Sequence, residues 1–285
     1  MNRHVDEVAA LSKAIDTMLD SVTTNGSWND YDESWAPVIT ALNVDLLLKA
    51  GLHPKENWTI PEKGHEQSLT ASFQYLNSEI KENGTFGTDF WDACNLGLII
   101  ENHSLHHYLP SYKLLKSHIL SVIKQSEIES GDSEWRGPGF IACAINYLDR
   151  LGMLTEAEVL TNKLLACQNN DGGWKGIENK SGHPIVPPVW HTSQSIITLF
   201  MRGQHQYREN IEKAVDWLKS QQEDNGSWTA VHQYDIYCTS YAMISLIQSG
   251  MANKRVIDNG VEYLKGNMSD KGRCPDMGGT VMCSL

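Results

Sequence analysis

Gln222-Glu223-Asp224-Asn225-Gly226-Ser227-Trp228, entered from Trp217-Leu218, is the stretch on which the fold turns. Upstream, residues 211–219 place Ile211, Ala214, Val215 and Leu218 at i, i+3, i+4 and i+7, the period of an amphipathic helix. Downstream, residues 237–246 read Tyr-Cys-Thr-Ser-Tyr-Ala-Met-Ile-Ser-Leu, with no charge on any face, as expected of a helix buried all round. A charged helix, a Gly-aromatic turn and an uncharged helix make a helical hairpin. The same turn recurs at Asn25-Gly26-Ser27-Trp28, Asn83-Gly84-Thr85-Phe86 and Asp171-Gly172-Gly173-Trp174. A degraded copy stands at Ser133-Glu134-Trp135 and a weaker one at Lys271-Gly272-Arg273. The markers lie roughly fifty residues apart, which gives six units. Four second helices are expected to stop at Gly51, Gly152, Gly203 and Gly250, because glycine takes the left-handed exit without strain. No alternating run competes, so the chain is all-α.

Inner helices that are uncharged nearly all round need neighbours on every side. Six of them ringed by six outer helices supply these, so the expected architecture is an (α/α)6 toroid spanning residues 1–285 as a single domain. Composition agrees: 41% hydrophobic and 20% charged residues can build a core, which excludes whole-chain disorder. Lys and Arg number 23 against 35 Asp and Glu, a net charge of −12. Such a chain is not expected to bind duplex nucleic acid or an anionic bilayer. The first twenty residues carry acids every few positions and no apolar centre, and no uncharged apolar run approaches membrane length. Neither a signal peptide nor a transmembrane segment is therefore expected. Six cysteines without a CxxC pair read as reduced thiols, which points to the cytoplasm.

The Gln-Gly-Trp spacing of 222–228, repeated in Gln168-Asn169-Asn170-Asp171-Gly172-Gly173-Trp174, matches the QW motif of squalene–hopene and oxidosqualene cyclases. The chain thus resembles the terpenoid cyclase and protein prenyltransferase superfamily. The resemblance implies that glutamine and tryptophan staple adjacent hairpins. It also implies a small apolar isoprenoid-type substrate in the lumen. Triterpene cyclases are similar to two facing rings and this chain holds one, so either the substrate is short or a second subunit or homo-oligomer closes the mouth.

Aligning the starts of the inner helices gives Trp35-Ala36-Pro37, Trp91-Asp92-Ala93-Cys94, Phe140-Ile141-Ala142, Trp190-His191-Thr192-Ser193, Tyr237-Cys238-Thr239-Ser240 and Met277-Gly278-Gly279. In this register Asp92, His191 and Cys238 are equivalent. With Asp89 they suggest a rim where Asp89, Asp92 and His191 handle a proton, a cation or a metal. Trp35, Trp91, Phe140, Trp190, Tyr237 and Cys238 would line the substrate, the aromatics by cation–π contact. Two bland alternatives stay open: small polar residues that cap helix starts, and aromatics that simply pack. By resemblance, Asp89-Phe90-Trp91-Asp92 corresponds to the Asp-x-Asp-Asp of proton-initiated cyclases, with tryptophan in the place of the acid, and such a cyclase needs no cofactor. Asp92-Ala93-Cys94 is also similar to the Asp-x-Cys zinc pair of prenyltransferase β-subunits, and Trp190-His191-Thr192 to the segment carrying their third ligand. That alternative would place zinc or magnesium chemistry on Asp92, Cys94 and His191, with helix N-termini lowering the Cys94 or Cys238 pKa. A further alternative is a non-catalytic ring acting as a binding subunit. Arg136, Lys175 and Arg273 are candidate anion donors, and His103, His106 and His107 read as a surface cluster. There is no GxSxG, P-loop, GxGxxG or HExxH.

Overall fold

The computed structural model describes residues 22–28, 36–49, 65–88, 90–128, 137–178, 184–228 and 235–267. These hold ten helices: α1 Ala36–Lys49, α2 His65–Glu79, α3 Phe90–His103, α4 Tyr112–Ile128, α5 Pro138–Arg150, α6 Leu154–Ala166, α7 Pro188–Gly203, α8 Arg208–Ser220, α9 Asp235–Ser249 and α10 Lys254–Asn267. A two-residue strand, β1 Ile177–Glu178, pairs antiparallel with β2 Pro184–Val186. This small ribbon is an addition to the all-α reading and sits in the long connection before α7.

The chain divides into two compact units, Met1–Gln125 with Ser269–Cys274 and Gly278–Leu285, and Ser126–Met268 with Pro275–Met277. In the first, α1 packs on α2 and α3. In the second, α5 packs on α6 and α7, α7 on α8 and α9, and α9 on α10. Within each unit, then, α1 meets α3, and α5, α7 and α9 meet in series, with α2, α6, α8 and α10 against them, as the charge pattern requires. Leu218, Ala214 and Ile211 of α8 are closed to solvent while Glu209, Glu212 and Asp216 are exposed.

Each Gly-aromatic loop is built alike. The side chain before the glycine (Asn25, Asn83, Asp171 or Asn225) accepts the backbone N–H two residues on, at 2.9–3.1 Å. The glycine then turns left-handed, with φ of +88° at Gly26, +83° at Gly84, +96° at Gly172 and +89° at Gly226. A Cβ there would lie 2.2–2.4 Å from the backbone of the next outer helix, at Ala71, Leu114, Lys213 and Asn259 respectively. Positive φ and lack of space both select glycine.

In the two QW copies, Gln168 Nε2 donates to Gly172 O and to Asn210 O of α8, both at 2.9 Å. Gln222 Nε2 donates to Gly226 O at 3.0 Å and to Val256 O of α10 at 2.9 Å. Trp174 Nε1 donates to Leu164 O and Trp228 Nε1 to Leu218 O, closing the carboxyl ends of α6 and α8. The motif thus clips one hairpin's loop to the next hairpin's outer helix. Of the expected glycine stops, Gly152 and Gly250 are left-handed (+73° and +67°), Gly203 merely ends α7, and Gly51 lies outside the described residues.

Candidate functional site

The next helix in sequence follows each loop, and a second contact seats three of the loops on that helix. Trp28 N–H donates to Thr40 Oγ1 at 2.9 Å, Trp174 N–H to Thr192 Oγ1 at 2.9 Å, and Trp228 N–H to Thr239 Oγ1 at 3.0 Å. Residues four and seven on from each threonine are buried: Val44 and Leu47, Ile196 and Leu199, Met243 and Leu246. Counting from Asp92 in the same way reaches Leu96 and Ile99, also buried. Asp92 also behaves as a loop acceptor, since its Oδ2 takes Thr88 N–H at 2.6 Å and Thr88 Oγ1–H at 3.0 Å.

The same count from Ala93 reaches Gly97 and Ile100, equally buried, so burial does not distinguish Asp92 from Ala93 as the counterpart of Thr40, Thr192 and Thr239. The threonines follow their loop tryptophans by 12, 18 and 11 residues, so the sequence alone does not align them. The two donors tie Asp92 Oδ2 to the loop that precedes α3. Gly87, at φ +64°, backs this carboxylate; a Cβ there would sit 2.4 Å from Asp92 Oδ2.

His191 is fully buried in the first turn of α7. Its Nδ1 accepts the Gly139 N–H of α5 at 2.7 Å, so the ring is neutral and carries its proton on Nε2. Nε2 has no partner among the described residues. Burial pushes its pKa down to about 3. The ring is therefore a fixed donor at Nε2, not a proton acceptor at neutral pH. Trp190 stands edge-on to it at 5.0 Å between centroids, and Phe140 lies 6.3 Å away. Phe140 and Trp190 also meet edge to face at 5.7 Å. Gly139 is obligatory in this knot, because a Cβ would fall 2.3 Å from the Trp190 ring and 2.7 Å from His191 Nδ1. The second unit thus gathers Phe140, Trp190 and His191 at the start of α5 and α7.

Tyr237 and Tyr241 lie on one face of α9, their rings 4.8 Å apart, and Ile244 continues that face one turn on. Tyr237 and Ile244 keep partial exposure, while Cys238, Thr239 and Ala242 are closed off. Burial, followed by Tyr241, Cys238 and Cys143, raises the Tyr237 phenol well above its ordinary value. Burial, with Asp235 nearby, likewise pushes the Cys238 thiol up. The expected thiolate at Cys238 is therefore reversed: desolvation outweighs the helix N-terminus.

Trp91 and Cys94 are buried in α3 beside Asp92. Among the described residues no three His, Cys, Asp or Glu side chains gather as metal ligands. With Nδ1 given to Gly139 and the proton on Nε2, His191 as placed offers no lone pair to a metal, whereas only Oδ2 of Asp92 is engaged by Thr88. Asp89, Trp35, Arg136 and Arg273 lie outside the described residues, and Lys175 is an exposed loop cation. His103 is more than surface: its Nε2 meets Asp45 Oδ1 at 2.9 Å and ties α3 to α1. His106 and His107 are exposed as expected.

No protein-family model matches this sequence, and no curated protein matches it. Solved structures do. The type II terpene cyclase MstE from Scytonema aligns over 94% of this chain and 81% of its own, at TM-score 0.66 and 13% identity.

The fold is that of the type II terpene cyclases.

The ent-copalyl diphosphate synthase from Streptomyces platensis shares it over 87% of this chain and 48% of its own, at TM-score 0.58 and 16% identity. A GH76A α-1,6-mannanase from Salegentibacter shares it too, over 96% and 97%, at TM-score 0.64 and 12% identity. The terpene cyclase fold thus carries more than one chemistry, and the residues must choose among them. No helix among the described residues is long and apolar enough to cross a membrane.

Proposed function

We propose that this chain is a terpenoid-cyclase-like enzyme that folds an apolar prenyl or polyene chain and closes rings by carbocation chemistry. The observation that carries the reading is the aromatic lining of the second unit: Phe140, Trp190 and His191 in mutual edge contact, and the Tyr237–Tyr241 pair of α9, whose Tyr237 is partly exposed and Tyr241 buried. MstE lends support, because its structures include complexes with geranylgeranyl dihydroxybenzoate as substrate and merosterolic acid A as product.

In this reading Phe140, Trp190 and Tyr237 of the second unit supply π-faces to developing positive charge, and Cys238 completes that lining. In the first unit Trp35 and Trp91 would serve as lining and Asp89 would supply the proton, the roles the resemblance implies. His191 orients, through its Nε2–H. The proposed reaction is an isomerisation in which a proton adds to an alkene and another leaves after ring closure, so it consumes no cofactor.

The test is incubation with farnesyl diphosphate, geranylgeranyl diphosphate, squalene and geranylgeranyl dihydroxybenzoate, followed by mass spectrometry and NMR. The expected product has the mass of its substrate and fewer double bonds. Asp89→Asn is expected to slow turnover by at least about a hundredfold, the usual worth of a positioned acid. Folded protein that returns all four substrates unchanged refutes the assignment.

A further inference from the structure

Among the described residues of the second unit, Ser193 Oγ, Arg202 Nε and His191 Nε2 are buried without a hydrogen-bond partner, and of these His191 Nε2 belongs to a ring packed against Trp190 and Phe140. His191 cannot exchange its two nitrogens, because the Gly139 N–H at 2.7 Å fixes Nδ1 as the acceptor. Nε2–H is then a neutral donor of fixed direction, closed to solvent and without a partner among the described residues. A buried N–H of this kind is costly unless something accepts from it. Thr192 beside it is taken by the loop, and Ser195 Oγ–H is spent on His191 O at 2.8 Å. What surrounds the imidazole is aromatic: Trp190 and Phe140. A single oriented donor among apolar rings is the pattern of a specificity contact in a mostly apolar binding site.

We infer that His191 Nε2–H anchors an oxygen acceptor carried by the substrate, so that the chain selects an oxygenated prenyl compound over a bare hydrocarbon polyene. The inference rests on the prenyl reading above and narrows it to substrates with a hydroxyl, carbonyl or carboxylate oxygen. Nε2 is closed to solvent, so a bound oxygen must displace the side chains that cover it.

Geometry supplies two variants that separate anchoring from packing. His191→Asn keeps an acceptor near the Nδ1 position for Gly139 and loses the distal donor. His191→Gln keeps an N–H donor near the Nε2 position and loses the Gly139 acceptor. Binding is read by Trp fluorescence, with geranylgeraniol as the oxygenated probe and squalene as the hydrocarbon. The expected result is that His191→Asn weakens geranylgeraniol about tenfold, the worth of one hydrogen bond, and leaves squalene unchanged. His191→Gln is expected to retain geranylgeraniol affinity while unfolding more readily. In wild-type protein labelled with 15N-histidine, the Nε2–H resonance is expected to shift on adding geranylgeraniol and not squalene, which needs no variant. Equal weakening of both probes, or no change in that resonance, overturns the anchor and leaves the prenyl reading standing. Failure of wild type to bind either probe overturns both.

Discussion

At His191 the two ring nitrogens carry different burdens, and pH exposes the difference. Its folded pKa of about 3 lies below the ordinary histidine value near 6.5, so in that window the unfolded chain binds the extra proton. Stability is therefore complete above pH 6.5 and declines as pH falls, by roughly 1.4 kcal/mol per unit. Between pH 7.5 and 5.0 wild type is expected to lose about 2 kcal/mol from this group alone. His191→Asn is expected to lose about 2 kcal/mol less over the same interval. Urea unfolding of both proteins at the two pH values measures it; parallel losses would reject the assignment. Asp45 and Glu101, whose carboxyls are lowered against burial by hydrogen bonds from His103 and Tyr112, add their own losses only at lower pH. That His191 is unusual at a helix start was legible in the sequence, since histidine is a poor cap. Its partner was not, because Gly139 lies 52 residues away and nothing local points to it. Cys238 misled for a related reason: a helix start suggests a low pKa, but the sequence does not reveal how completely neighbours strip the thiol of water.

At the scale of the element, the loops make contrasting demands on glycine. Gly226→Ala would force a side chain into a left-handed residue and drive its Cβ to 2.3 Å from Asn259 O. A loss of more than about 2 kcal/mol is expected, from backbone strain plus a displaced α10. Gly250→Ala has the same backbone problem but nothing within 4 Å, so only about 1 kcal/mol is expected. Thermal or denaturant unfolding compares them directly, and equal losses would show that the close approach is unimportant. Thr239→Val strips the buried Trp228 N–H of its acceptor and should cost about 1–3 kcal/mol, with Thr239→Ser restoring most of it. The loop and its Gln and Trp were legible because the chain repeats them. The threonine acceptors were not, because they follow their loop tryptophans by 12, 18 and 11 residues. Nor was the engagement of Asp92, which accepts from Thr88 four residues before it.

For the molecule as a whole, burial rather than charge decides which segments resist opening. Amide hydrogen exchange is expected to be slowest in α5, α7 and α9, where outward faces are scarce, and faster in α8 and α10, whose acidic and basic positions meet water. Uniform protection across inner and outer helices would contradict that layering. Dialysis against a chelator is expected to leave the unfolding temperature unchanged, because among the described residues no three His, Cys, Asp or Glu side chains gather as metal ligands. The hairpin repeat made the fold class readable from one sequence, whereas chemistry depends on side chains that no repeat constrains. Each loop is completed by the outer helix of its successor, through the glycine at 26, 84, 172 and 226 and the glutamine at 168 and 222. Duplication or excision of one whole hairpin in frame would preserve every such seam, handing a loop an equivalent docking helix. A break within a hairpin would strand a loop with no helix to receive it, so tolerated rearrangements of this chain should come in whole-hairpin steps.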